Sequence, residues 1–149
     1  MKKIPIIIAL VMLISFPIKS QASSLKQLPI TENTNQWKLS IDKAITGPNL
    51  TKAKPGVYNT YSLKINNIGD QKIQNVRVEA FRNEPGSKTM FELFTSEDKN
   101  VLASRKSDFH HQNFPISVKA TVLEIDITWE KVLEQNNVRH FKETFIFEQ

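Results

Sequence analysis

Phe109, His110, His111 and Phe114 form the one local cluster in this chain that mixes aromatic and polar side chains in an expected loop. Aromatic faces and imidazoles on a loop make a contact surface, because binding residues concentrate on loops held by a rigid scaffold. The competing role for the two phenylalanines is to plug the open end of a β-sandwich. A metal site is not expected here. His110 and His111 are adjacent, and neighbours in an extended chain point to opposite faces. His140 and Glu143 have a helix-like offset in a segment that reads as a strand, which again separates them. No His-Glu-x-x-His, calcium-loop or cysteine pattern occurs. Met90 is the only methionine beyond the first 22 residues, so a Met/His copper cluster has no ligands, and no cofactor is expected.

Nucleophilic and acid–base chemistry fare no better. There is no Gly-x-Ser-x-Gly elbow. Ser107, Asp108 and His110 have the residue types of a triad, but such close neighbours rarely meet in triad geometry. Glu124 and Asp126 share one face of a strand, as a glycosidase pair might, yet a polar outer face is what any half-buried strand displays. Four glycines in 149 residues are too few for a phosphate-cradling loop. The chain is therefore expected not to be an enzyme.

The elements that would carry these residues are strands. Trp37, Leu39 and Ile41 alternate with polar residues, as do Tyr61, Leu63 and Ile65, then Val76, Val78 and Ala80, and most clearly Leu123, Ile125, Ile127 and Trp129. Period-2 alternation marks strands with one buried face. The spacing predicts strands at 37–42, 57–66, 73–82, 89–95 and from 123 to the C-terminus. It also predicts a polar stretch over 96–107 with a short Val101-Leu102 strand, and a loop or edge at 109–115. Gly47-Pro48, Pro55-Gly56, Asn67-Ile68-Gly69-Asp70 and Asn83-Glu84-Pro85-Gly86-Ser87 read as turns, with Gly69 free to take a positive φ. In the last hairpin, a three-residue loop over 135–137 would set Phe145 opposite Ile127 and Phe147 opposite Ile125, with all four facing the core. No helical periodicity is sustained over three turns. Trp37 and Trp129 are expected in the core.

The N-terminus is a separate matter. Lys2 and Lys3 precede an apolar run from Ile4 to Phe16, Pro17 follows, and Ser20-Gln21-Ala22 places small residues three and one before a cut. This is the order of a secretory signal peptide cleaved after Ala22. The run falls short of the roughly 20 residues a spanning helix needs, so no membrane span is expected after its removal. The formal charge of +5 overstates the surface: Lys2, Lys3 and Lys19 lie in the signal, leaving 17 basic and 15 acidic residues. With no run of like charge, nucleic-acid binding is not expected. The chain has no cysteine, hence no lipoprotein anchor and no disulfide, and burial alone must hold about 125 residues together.

Pro55-Gly56, Tyr61-x-Leu63-x-Ile65-x-Asn67-x-Gly69-Asp70 and Ile73-x-Asn75-Val76-x-Val78 together resemble the second and third strands of bacterial extracellular immunoglobulin-like domains of the adhesion-related envelope type. The likeness covers about a quarter of the chain after the signal. It implies an all-β, immunoglobulin-like β-sandwich of about seven strands and no catalytic residue. The expected organisation is a signal peptide over 1–22, a loose leader over 23–36 and one sandwich domain over 37–149. The expected role is a secreted or envelope-associated module that binds non-covalently to an envelope or extracellular protein or a wall polymer. A secreted enzyme or inhibitor, a metal-handling export protein and a subunit of a larger fibre are the competing readings.

Overall fold

A computed structural model describes residues 23–99, 108–133 and 137–149. The expected signal peptide, the expected Val101-Leu102 strand and residues 134–136 of the last hairpin lie outside these residues. The described chain is all β: β1 (Ser23–Ser24), β2 (Ile30–Asn33), β3 (Trp37–Lys43), β4 (Tyr58–Asn67), β5 (Ile73–Asn83), β6 (Met90–Asp98), β7 (Asp108–Ser117), β8 (Val122–Val132) and β9 (Val138–Glu148). They form two sheets, ordered β1-β9-β8-β5-β6 and β2-β3-β4-β7. Every pairing is antiparallel except β1 with β9.

The alternating stripes become the core between the sheets. Leu39, Ile41, Leu63, Ile65, Ala80, Leu123, Ile125 and Ile127 are buried, and all join one cluster drawn from both layers. Trp37 from β3 meets Trp129 from β8 edge to face, with ring centroids 5.5 Å apart. Such pairs contribute about 0.5–1.5 kcal/mol beyond the area they bury. Both indole N–H groups are buried without an acceptor among the described residues.

Several expectations need correction. Residues 23–36 are not a loose leader. β1 pairs with β9, the Leu25 N–H donates to the Glu148 carbonyl at 2.7 Å, and β2 pairs with β3. Leu25 and Ile30, thinly spread in a polar stretch, are the buried anchors. β6 runs on through Ser96 to Asp98, because Ser96 sits opposite Val78 and Asp98 opposite Val76 on the same ladder. In the last hairpin Phe145 lies opposite Ile125 and Phe147 opposite Leu123, two residues from the expected register. A two-residue displacement keeps every side chain on its face, so the buried set is as expected.

The Asn67–Asp70 corner also works differently. The Asn67 Oδ1 accepts from Gln36 Nε2 at 2.6 Å and from the Gly69 N–H at 3.1 Å. A Cβ at Gly69 would sit 2.4 Å from Gln36 Nε2, so glycine is needed there for close approach and not for a left-handed φ. Gly56 and Gly86 take positive φ, and so does one non-glycine among the described residues, Asn75, at 50°. It lies in a bulge between Gln74 and Arg77, and its Nδ2 donates to Glu130 at 2.7 Å.

Candidate binding groove

The aromatic cluster is not on a loop. It is on β7, the edge strand of its sheet, held by β4. Tyr61 pairs with Phe114 and Leu63 with His111, so β7 carries one residue more than β4 between those pairs. That bulge reverses the alternation. Phe109 and His111 before it, and Phe114 and Ile116 after it, therefore all turn toward the other sheet. Asn113, at the bulge, donates through Nδ2 to the carbonyls of Ile45 and Thr51, at 3.2 and 2.8 Å, and so ties the 44–51 loop against β7.

Three of the four residues meet at one partner, Phe94 of β6. Its ring stacks on His111 at 4.3 Å and on Phe109 at 6.0 Å, and meets Phe114 edge-on at 5.3 Å. This seam joins the edge strands of the two sheets. Phe114 is fully buried, Phe109 and His111 are partly covered, and His110 points to solvent. Phe94 was missed by sequence reasoning, since nothing local says that β6 will lie beside β7.

Beyond the seam the surface opens into a groove of about 410 Å³ lined by Val57, Tyr58, Arg82, Phe91, Leu93 and Pro115, among others. Val57 and Phe91 remain 46 % and 44 % exposed, with exposed Met90 and Val118 at the margins. The Arg82 guanidinium lies 4.8 Å from the centre of the Phe91 ring and fixes its orientation. Exposed apolar side chains gathered beside a strand edge that no described strand pairs with are uncommon and mark contact surfaces.

Burial pushes the His111 imidazole below its ordinary pKa, and the charge of His110 adds to that. Its Nδ1 is buried with no partner, and the rings around it offer no counter-charge. The folded state therefore resists protonation while the unfolded chain takes a proton near pH 6.5. Stability is expected to be flat above pH 6.5, to fall as pH drops from there through the lowered folded value, and to level off below it. Urea unfolding of wild type and His111→Phe between pH 8 and pH 5 checks this; equal pH dependence in the two proteins would refute it.

Three other charged groups are held by partners. Arg77 bonds Glu79 at 2.7 Å and Glu97 at 2.6 Å, which raises its pKa. Lys142 contacts Asp126 at 2.7 Å, and that bond raises its pKa. Hydrogen bonds from Gln74 and Asn75 lower Glu130. Each shift strengthens the charged form, whereas acid–base catalysis needs groups poised near neutrality. Asp126, paired in sequence with Glu124 as a possible glycosidase carboxylate, is buried and occupied by Thr144 as well as Lys142. Among the described residues no three His, Asp or Glu side chains are grouped to hold a metal.

Residues 21–149 match the model of the YozF-like secreted protein family. The chain is 34% identical over 143 residues to the YozF protein of Bacillus subtilis (strain 168), an alignment that covers 87% of this chain and 84% of that relative. No solved structure matches it. A groove between two sheet edges, on a chain matched by this family almost from end to end after its first 20 residues, thus belongs to a secreted β protein of the YozF-like family.

Proposed function

We propose that this protein is an immunoglobulin-like binding module that works outside the cell by non-covalent contact, without catalysis. The strand order supports the fold assignment. Counting β3 to β9 as seven main strands, the first, second and fifth share one sheet, and the seventh, sixth, third and fourth share the other. That is the immunoglobulin arrangement in which the fourth strand has moved to the sheet of the third.

The observation that carries the binding role is the apolar groove beside β6. β6 pairs with β5 alone among the described strands, so the edge of β6 around Phe91 and Leu93 lies outside any described ladder. An extended segment of another envelope or extracellular protein can add to such an edge, with alternate side chains entering the groove around Phe91 and Val57. The signal-peptide reading of residues 1–22 agrees with the family's secretion.

The test is capture from culture supernatant and wall extract with the secreted protein as immobilised bait. Wild type is expected to retain a defined protein, and Phe91→Glu, with its β-type circular dichroism intact, to lose at least roughly ten-fold of it. Equal capture by both forms, or none by wild type, would refute the role.

A further inference from the structure

The outer face of the five-stranded sheet holds a second concavity, of about 550 Å³, which shares no lining residue with the groove beside β6. Small-molecule sites span about 300–1,000 Å³. Partners in a ladder share a face, so Glu97, Arg77, Thr128 and Lys142 form one row across this sheet, and Gln74, Glu130 and His140 form the next. Thr128, the shortest of its row, is flanked by two long cations, and both are drawn off it. Arg77 reaches Glu79 and Glu97, at 2.7 and 2.6 Å, and Lys142 reaches Asp126 at 2.7 Å. Glu79 and Asp126 pair in the row on the far side from Glu130. The space over Thr128, between the cations and Glu130, is thereby left open.

The opposite wall is fixed by the bulge in β5. Asn75 takes a left-handed backbone there, which asparagine tolerates better than most residues with a side chain. The result is a carboxylate held in place. Asn75 Nδ2 and Gln74 Nε2 both donate to Glu130 Oε2, at 2.7 and 2.9 Å, and His140 Nδ1 stands 3.3 Å from Oε1. The Glu130 side chain is only 16 % exposed. Bulges that re-aim side chains in this way are over-represented beside functional sites.

We propose that this hollow binds an uncharged, hydroxyl-rich sugar. Its lining carries both signs in balance: Arg77, Lys99 and Lys142 against Glu97, Asp98 and Glu130, with His140 beside Glu130. An anion drawn to Arg77 and Lys142 would also meet Glu97 and Glu130, and a cation would meet the reverse. A hydroxyl donates and accepts through one oxygen. It can accept from a cation on one wall and donate to a carboxylate on the other, and both bonds are charge-assisted. Arg77, Lys142 and Glu130 are already held by their own partners, so few side chains need ordering when the ligand arrives.

NMR titration of the secreted protein with glucose, maltotriose, cellotriose and chitotriose tests the site. The amide signals of Asn75, Thr128, Glu130 and His140 are expected to shift saturably with at least one of these sugars, half-way by about 10 mM. An equal response to glucose would identify a free monosaccharide as the ligand, and a preference for a trimer would identify a glycan chain. Thr128→Tyr fills the floor and is expected to abolish the shifts. Asn75→Gly suits the left-handed backbone and so keeps the fold, yet is expected to weaken binding at least roughly three-fold by freeing Glu130. Phe91→Glu is expected to change nothing, which separates this site from the groove. No saturable shift at these residues with any of the four sugars at about 50 mM would overturn the proposal. A stronger response to succinate or putrescine would also overturn it, as would undiminished binding by Thr128→Tyr.

Discussion

Trp129→Ala is expected to remove about 3–5 kcal/mol of folding stability, the range for deleting a large buried aromatic. A domain of this kind holds about 5–15 kcal/mol in all. Trp129 is 3 % exposed and touches both layers: its ring meets Trp37 of the facing sheet at 5.5 Å and stacks on Phe141 of the neighbouring strand at 5.5 Å. Lys131 and Arg139 lie over the Phe141 ring, so this end of the core is covered by cations as well as carbon. Removing the side chain leaves two other rings, Trp37 and Phe141, without their packing partner. Urea unfolding should show the midpoint falling by roughly 2 M with an unchanged slope. Trp129→Phe should cost less than half as much, because the indole N–H makes no hydrogen bond that would be lost. A loss under about 1 kcal/mol for Trp129→Ala would mean that the sheets do not meet here.

Why such residues were legible in the sequence, and others were not, follows from what a period-2 pattern encodes. Alternation reports which face a side chain occupies, and Leu39, Leu63, Ile125 and Trp129 all lie where their stripes put them. It does not report register beyond odd or even. Phe145 accordingly lies on the expected face but opposite Ile125 rather than Ile127. Alternation also fails wherever a bulge inserts a residue. Phe109, His111, Phe114 and Ile116 do not share one parity, so 109–115 reads as a loop or edge although all four face inward. The leader was misjudged for a third reason. Its anchors are few, and the parallel pairing of Ser23 with Phe147 joins residues far apart in sequence, a contact no local window contains. The candidate site was half visible in the same sense. The aromatic cluster stands out by composition, while Phe94, Phe91 and Val57, brought to it from elsewhere in the chain, do not.

Phe114 offers the sharpest test of that seam, and its replacement should match the tryptophan in effect. It is 1 % exposed, and its ring lies 5.3 Å from Phe94, 5.6 Å from His111 and 6.2 Å from Tyr61. It therefore links β7 to its own sheet through Tyr61 and to the opposite one through Phe94. Phe114→Ala is expected to cost about 3–5 kcal/mol by urea unfolding. Phe109→Ala should cost less, because Phe109 is only partly buried. A double-mutant cycle with Phe94→Ala isolates the contact across the seam, and a coupling of about 0.5–1.5 kcal/mol is expected for rings in this arrangement. Additivity within about 0.5 kcal/mol would show that the two edge strands are not joined by these rings. The consequence reaches the groove. Leu93 and Phe91 follow directly from Phe94 along β6, and Pro115 follows Phe114 along β7, so the seam sets the spacing of the groove walls. Binding should weaken in Phe114→Ala through loss of that spacing even though Phe114 itself is buried, whereas Phe91→Glu should weaken binding at unchanged stability. Only the second substitution reports on contact with the partner.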